Sequence, residues 1–157
     1  MAQSDATPDI GSLSLRRFVR NAKRLKPSIL RVVSAGSRKT TVLVVEDDPE
    51  LRSLYRTALT LAGYAVVATI DGVDALRHLE SHSADLVILD MGLPCLRGDD
   101  VQREMSAHAD TRGIPIVVVT GEETHVSNPS DYACVLRKPL DLHDLVAAVA
   151  RCLSRER

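Results

Sequence analysis

The residue in this sequence with the clearest chemical potential is an aspartate that ends a short apolar run. Residues 85–90 read DLVILD, and a loop with Gly92 and Pro94 follows Asp90 directly. An apolar run of this length between turn residues is typical of a strand buried on both faces of a parallel sheet. Asp90 is therefore predicted at the carboxyl end of a core strand, the edge at which open α/β sheets bind ligands.

Other reactive side chains also follow predicted strands. They are Glu46 and Asp47 after the first strand, Thr120 after the fourth and Lys138 after the fifth. Because the carboxyl ends of parallel strands share one edge of a sheet, we expect these groups to converge with Asp90 in a single crevice.

Such a crevice would suit phosphoryl transfer. Three neighbouring carboxylates repel one another unless a cation is present. Mg²⁺ takes oxygen ligands from one or two carboxylates and keeps waters that a phosphate oxygen can replace. Asp90 beside Mg²⁺ and Lys138 is then a candidate nucleophile, because both cations neutralise charge on the transferred group. Thr120 is expected to donate a hydrogen bond to a phosphoryl oxygen.

The elements that must position these residues alternate regularly from residue 41 onward. The predicted strands are 42–45, 64–69, 85–90, 115–119 and 133–136, and the predicted helices begin at Pro49, after Asp71-Gly72, at Gly98 and near Leu142. Five strands alternating with helices predict an α/β fold, with a doubly wound five-stranded parallel sheet, right-handed crossovers and helices on both faces.

The segment between the fourth and fifth strands departs from this alternation. Only 18 residues separate Thr120 from Lys138. Several of them are poor helix formers, namely Gly121, Ser127, Asn128, Pro129 and Ser130. We therefore predict that the fourth helix is short, irregular or absent.

The charge distribution divides the chain into two parts. Residues 1–39 hold nine of the 20 basic residues but only two of the 21 acidic residues, so the acidic excess lies in residues 40–157. The stretch 34–37 reads SAGS, which is typical of a linker. We predict a basic N-terminal extension at 1–39, disordered over about residues 1–12, and one folded domain at 40–157.

A short amphipathic helix is predicted inside the extension, from Leu15 to Leu25. Its apolar residues recur at helical spacing, and arginines and lysines occupy the other side. We expect this helix either to dock weakly on an anionic membrane, or to dock on the acidic domain of the same chain, or to remain a loosely ordered extension.

The composition indicates a cytoplasmic location. No apolar run is long enough to span a bilayer, and the polar amino terminus does not resemble a secretory signal. The three cysteines are an odd number without metal-binding spacing, which fits a reduced compartment.

Four motifs in order resemble the receiver domains of two-component response regulators, of the single-domain CheY-like type. They are Val44–Asp48, Leu89–Pro94 with Gly98, Val119–Gly121 and Lys138-Pro139, and the resemblance covers about residues 40–155. It implies the (βα)5 flavodoxin-like receiver fold. It further implies that Asp90 is the phosphoacceptor, that Thr120 and Lys138 sense and bind the phosphoryl group, and that Mg²⁺, or Mn²⁺ in its place, is held by Glu46, Asp47, Asp90 and the backbone carbonyl of Gly92.

The resemblance also implies a function. We expect a single-domain response regulator, since no effector-length segment follows the last predicted helix. It would take a phosphoryl group from a histidine kinase or a histidine phosphotransfer protein and signal to a downstream protein by contact, without binding DNA and without being an enzyme. One alternative is a phosphate sink or a phosphorelay intermediate. The other is an Asp-nucleophile phosphatase of the haloacid dehalogenase type, which is disfavoured because those enzymes expect a second Asp at the position of Gly92.

Three positions are expected to modify the usual behaviour of a receiver. Typical receivers carry Tyr or Phe three residues before the lysine, whereas this chain has Val135, which has no ring to rotate when Thr120 moves. Glu122 is expected to orient a hydrolytic water and Gly92 to leave the other flank of Asp90 open, so that both set the phosphoryl lifetime. We expect phosphorylation to order residues 121–132, without dimerisation through the fourth helix, fifth strand and fifth helix.

Overall fold

A single parallel sheet forms the centre of the domain. The computed structural model describes residues 16–20, 38–121 and 126–154. The strands are β1 (Thr41–Val45), β2 (Ala65–Thr69), β3 (Leu86–Asp90), β4 (Ile116–Thr120) and β5 (Cys134–Arg137). They pair in the order β2-β1-β3-β4-β5, and every pair is parallel. The predicted five-stranded α/β fold is therefore confirmed.

Four α-helices cover the two faces of this sheet. They are α1 (Pro49–Leu61), α2 (Gly72–Ser81), α3 (Gly98–Ala107) and α4 (Leu142–Ser154). Helices α1 and α4 pack on one face, and α2 and α3 pack on the other. The sheet is thus doubly wound.

Burial on both faces explains the unbroken apolar runs of the strands. Successive side chains of a strand point to opposite faces, so both faces need apolar residues when helices cover both. In β1, Val42 and Val44 belong to the cluster under α1 and α4, whereas Leu43 and Val45 belong to the cluster under α2 and α3.

The helix boundaries follow from local capping chemistry. The carboxylate of Asp48 accepts hydrogen bonds from the backbone N–H groups of Glu50 and Leu51, and Pro49 occupies the first turn of α1. Gly63 follows the end of α1 with a φ of 100°, a conformation that favours glycine. The helix that we predicted to begin at Pro49 and to be closed by Gly63 is accordingly observed.

No α-helix occurs between β4 and β5 in the residues described there, 121 and 126–133. A 3-10 turn at Pro129–Asp131 takes its place, as the poor helix formers in this segment predict. Two hydrogen bonds tie the segment to the first turn of α3, because Asp99 accepts from Ser127 Oγ at 3.2 Å and from Tyr132 Oη at 2.8 Å. The sequence did not predict this attachment.

The described part of the N-terminal extension is a short helical segment, residues 16–20, whose Phe18 is buried against the domain. The predicted disorder of residues 1–12 and the predicted continuation of the helix to Leu25 lie outside the described residues. Over the part of the chain that the structure covers, none of the helices has the length and apolar character that crossing a membrane requires.

The close approach of α3 to the loop after Asp90 depends on Gly98. A Cβ atom at this position would lie 2.6 Å from Met91 Sδ and 3.0 Å from the backbone oxygen of Asp90. We expect Gly98→Ala to lower the free energy of unfolding by about 1–3 kcal/mol, because α3 must move outward, although alanine is the better helix former. Gly113→Ala is the control, since nothing lies within 4 Å of a Cβ there. Urea unfolding measures both, and equal midpoint shifts would contradict the prediction.

Candidate functional site

The carboxyl ends of β1, β3 and β5 bring three acidic groups and one amine together. Lys138 Nζ lies 2.7 Å from Asp90 Oδ2 and 2.9 Å from Glu46 Oε2. Glu46, Asp47 and Asp90 each offer a carboxylate oxygen, and these oxygens lie within 4.8 Å of one another. The structure thus places four of the predicted site residues in one cluster.

Burial sets this edge apart from the rest of the described surface. The buried polar or charged side chains of the described residues are Glu46, Asp90 and Thr120, at 1%, 6% and 0% exposure. Asp47 is exposed at the mouth of the same cluster. Buried carboxylates are costly unless they are paired, so the contacts of Lys138 with two of them are needed to keep the site folded.

Backbone contacts fix the positions of the carboxylates. The N–H group of Gly92 donates to Asp90 Oδ1 at 2.8 Å, which leaves Asp90 Oδ2 to Lys138. Arg52 Nη1 donates to the backbone oxygens of Glu46 and Asp47 at 2.8 and 3.0 Å. The sequence did not predict this role of Arg52. An arginine near the start of a helix has no distinguishing pattern, and only its short separation from Glu46 and Asp47 along the chain could have indicated the contact.

The sheet links Thr120 to the cluster through the backbone. In the pairing of β3 with β4, Asp90 lies opposite Val119, so Thr120 extends one residue beyond the pair. The backbone oxygen of Thr120 accepts from the N–H group of Lys138 at 2.8 Å. Its hydroxyl donates to the backbone oxygen of Gly121 at 3.3 Å. A movement of either Thr120 or Lys138 is consequently transmitted to the other.

The remaining predicted positions lie around this cluster. Gly92 lies beside the carboxylate of Asp90, since a Cβ atom at Gly92 would lie 3.5 Å from Asp90 Oδ1. Val135 lies in β5 opposite Val118 and packs on the side of the sheet covered by α2 and α3. Glu122 lies outside the described residues.

Burial changes the proton affinities of two groups in the cluster. Burial, reinforced by the negative charge of Asp90, raises the pKa of Glu46 to about 7 despite the hydrogen bond from Lys138. Burial alone would lower the pKa of Lys138, but its hydrogen bonds and charge attraction to Asp90 and Glu46 outweigh this and raise it. Lys138 therefore stays cationic, while Glu46 takes up a proton near neutral pH.

The donor set fits a hard divalent cation. The cluster offers three carboxylates to a single ammonium group, so one lysine does not balance this negative charge. Among the residues that the structure describes, no other three His, Cys, Asp or Glu side chains are close enough to share an ion. Carboxylate oxygens without sulfur or imidazole ligands suit Mg²⁺.

The raised pKa of Glu46 makes the stability of the metal-free protein depend on pH. The folded state keeps this proton up to a pH of about 7, whereas the ordinary pKa is 4.5, so stability is lost as the pH rises between these values. We expect Glu46→Gln to unfold at a temperature higher by about 3 °C or more at pH 8 without divalent ions, and this gain to disappear near pH 5.

The matched control for this pH dependence is Glu80→Gln, which changes an exposed glutamate of α2. Thermal unfolding in EDTA at several pH values measures both variants. A Glu46→Gln curve parallel to that of the parent protein would contradict the assignment.

Known proteins resemble this chain in sequence and in fold. Residues 42–150 match the family described as the response regulator receiver domain. The response regulator ArlR of Staphylococcus aureus is 31% identical over 121 residues, which is 74% of this chain. This chain spans 54% of the length of ArlR and 34% of another curated relative.

Solved structures of receiver domains share the fold. A response regulator receiver domain protein from Clostridium thermocellum is 26% identical with a TM-score of 0.67, covering 74% of this chain and 96% of that one. The receiver domain of the sensor histidine kinase PA1611 from Pseudomonas aeruginosa has the same identity and TM-score, covers 74% of this chain and 99% of that one, and was solved with a magnesium ion coordinated in its active site cleft. With a family match over most of its length and this fold, the chain belongs to the response regulator receiver domain family of two-component signalling.

Proposed function

We propose that this protein accepts a phosphoryl group on Asp90 from a histidine kinase or a histidine phosphotransfer protein and signals through protein contacts that depend on it. The observation that supports this most directly is the contact of Lys138 Nζ with Asp90 and Glu46 at one edge of the sheet. The receiver domain in this proposal is residues 40–157, with residues 1–39 as its extension.

The chain's own residues would share the work of phosphoryl transfer. The N–H group of Gly92 holds one oxygen of Asp90, which orients the carboxylate that attacks phosphorus. Lys138 lies beside the other oxygen, where its ammonium group can bind and neutralise an incoming phosphoryl group. Thr120, at the end of the neighbouring strand, would bind another phosphoryl oxygen through its hydroxyl.

Mg²⁺, or Mn²⁺ in its place, would complete this site. Glu46, Asp47, Asp90 and the backbone carbonyl of Gly92 would hold it. When bound, the ion would neutralise charge on the transferred group and balance the carboxylates. The magnesium ion in the PA1611 receiver domain supports this assignment by similarity.

The chemical part of the proposal predicts labelling by a small phosphodonor. Acetyl phosphate should label Asp90 in the presence of Mg²⁺ and at least about tenfold more slowly in EDTA, because the carboxylate cluster repels an anionic donor. Asp90→Asn should abolish the label, whereas Asp110→Asn, which changes an exposed aspartate, should leave it unchanged. Phosphoprotein gels and mass spectrometry measure the label, and labelling of Asp90→Asn at the parent rate would refute the assignment.

The identity of the donor and the fate of the phosphoryl group need a transfer profile. Purified, autophosphorylated histidine kinases from the same cell would be mixed with this protein and sampled over time. Rapid transfer from one kinase identifies the donor. Rapid return of the phosphoryl group to a kinase or onward to a phosphotransfer protein would instead support the phosphate sink or relay intermediate.

The segment between β4 and β5 is the proposed output element. Val135 offers no ring to carry a change at Thr120, whereas Tyr132 lies two residues before β5 with its hydroxyl 2.8 Å from Asp99 Oδ1. Asp99 lies in the first turn of α3, which follows the loop after Asp90. We propose that phosphorylation draws Thr120 inward and strengthens the packing of residues 121–132 through this hydrogen bond.

This output hypothesis predicts a change in amide exchange. Beryllofluoride, a phosphoryl mimic, should slow exchange over residues 121–132 without changing the molar mass of the protein. Tyr132→Phe should reduce this protection about threefold or more, because a net hydrogen bond to a charged group contributes about 1 kcal/mol or more. Tyr64→Phe is the control, because it removes a buried hydroxyl that has no hydrogen-bond partner among the described residues. A beryllofluoride-induced dimer with an interface at 133–153 would overturn the hypothesis.

A further inference from the structure

Within residues 16–20 of the N-terminal extension, the side chain of Phe18 packs against the domain. Phe18, the only phenylalanine of the chain, is 2% exposed and belongs to the apolar cluster of α1 and α4. Its neighbours Arg16, Arg17 and Arg20 are exposed, and Val19 is 52% exposed. Of the described extension residues 16–20, Phe18 alone is buried.

Phe18 packs on a histidine of α4. The ring of Phe18 lies 4.8 Å from the imidazole ring of His143, measured between centroids, with an interplanar angle of 41°. His143 Nε2 is buried and has no hydrogen-bond partner among the described residues. A buried polar atom without a partner costs free energy that contact with solvent would recover, which offsets part of the stabilisation that the burial of Phe18 provides.

This contact lies at the end of the domain where Asp90 is found. His143 is the second residue of α4, and α4 starts four residues after Lys138. Helix α1 likewise begins two residues after Asp47. Both helices therefore start from the edge of the sheet that carries the carboxylates. A protein that presents a phosphohistidine to Asp90 must approach the same edge.

We propose that residues 16–20 cover part of the surface on which a protein phosphodonor docks, so that the donor must displace Phe18 to reach Asp90. This inference rests on the proposed phosphoacceptor function. The surface under Phe18 belongs to the apolar cluster of α1 and α4, so the donor that replaces it is expected to insert an apolar side chain. A donor as small as acetyl phosphate needs no such surface and reacts whether or not the segment is docked.

Competition between residues 16–20 and the protein donor for one surface predicts which kinetic parameter changes. When only a fraction of the protein molecules has this surface uncovered, the apparent dissociation constant for the donor equals the intrinsic constant divided by that fraction. Loss of the Phe18 anchor should consequently lower the half-saturating concentration of the protein donor and leave the maximal transfer rate unchanged. A purely structural role of Phe18 would instead reduce labelling from every donor.

The test compares Phe18→Ala with Val19→Ala, which shortens the exposed neighbour in the same segment. The donor is the autophosphorylated kinase that transfers fastest in the profile described above, and acetyl phosphate is the small donor. Phe18→Ala should lower the half-saturating kinase concentration about fivefold, with Val19→Ala and all acetyl phosphate rates unchanged. An unchanged half-saturation with intact acetyl phosphate labelling overturns the inference. Failure of acetyl phosphate to label the parent protein overturns the proposed function itself.

Amide exchange tests the docking of Phe18 directly. Exchange in the first turns of α1 and α4 should accelerate in Phe18→Ala, and Phe18→Leu, which keeps an apolar side chain, should give a smaller change.

Two further measurements test for other occupants of this surface. The parent protein should be monomeric by light scattering; a dimer that dissociates in Phe18→Ala would assign the segment to a second copy and overturn docking within one chain. Sedimentation with phosphatidylserine vesicles that requires Phe18 would assign it to a lipid surface and overturn it as well.

Discussion

The charge balance between Lys138 and two buried carboxylates is the constraint on which the site depends. Glu46 and Asp90 repel each other at an edge with little access to water, and the ammonium group of Lys138 contacts both. Loss of the Lys138 ammonium group would leave both carboxylates without a cation, and an uncompensated buried charge typically costs about 3–5 kcal/mol. In the proposed function, the same imbalance would favour the binding of a divalent cation, and Lys138 would favour the binding of a phosphoryl group.

A backbone hydrogen bond of the sheet couples Lys138 to the neighbouring strand β4. The backbone N–H group of Lys138 donates a hydrogen bond to Thr120, and Lys138 lies in the connection between β5, which ends at Arg137, and α4. A shift of Lys138 toward a phosphoryl group therefore acts on β4, β5 and α4 together. Because strands buried on both faces are closely packed, small shifts at their ends are passed on rather than absorbed.

The sequence predicts the site residues that lie at the ends of strands, but it does not predict contacts between residues of different elements. Asp90 and Lys138 could be placed at one edge because they follow strands of a parallel sheet, and the missing helix before β5 could be predicted from its poor helix formers. The hydrogen bond between Asp99 and Tyr132 could not be predicted, since the two residues are 33 positions apart in the sequence and neither lies in a motif. Phe18 fitted an amphipathic pattern, but the pattern alone did not decide between a membrane and the domain as its partner.

The only phenylalanine of the chain lies outside the five strands and helices α1 to α4, and this position makes its docking directly observable. A chain labelled biosynthetically with fluorinated phenylalanine carries a single fluorine site, at residue 18. Its resonance depends on the adjacent imidazole ring, because ring currents act strongly at the observed 4.8 Å separation of ring centroids. The chain thus offers a single labelling site that would distinguish docked from undocked forms of residues 16–20.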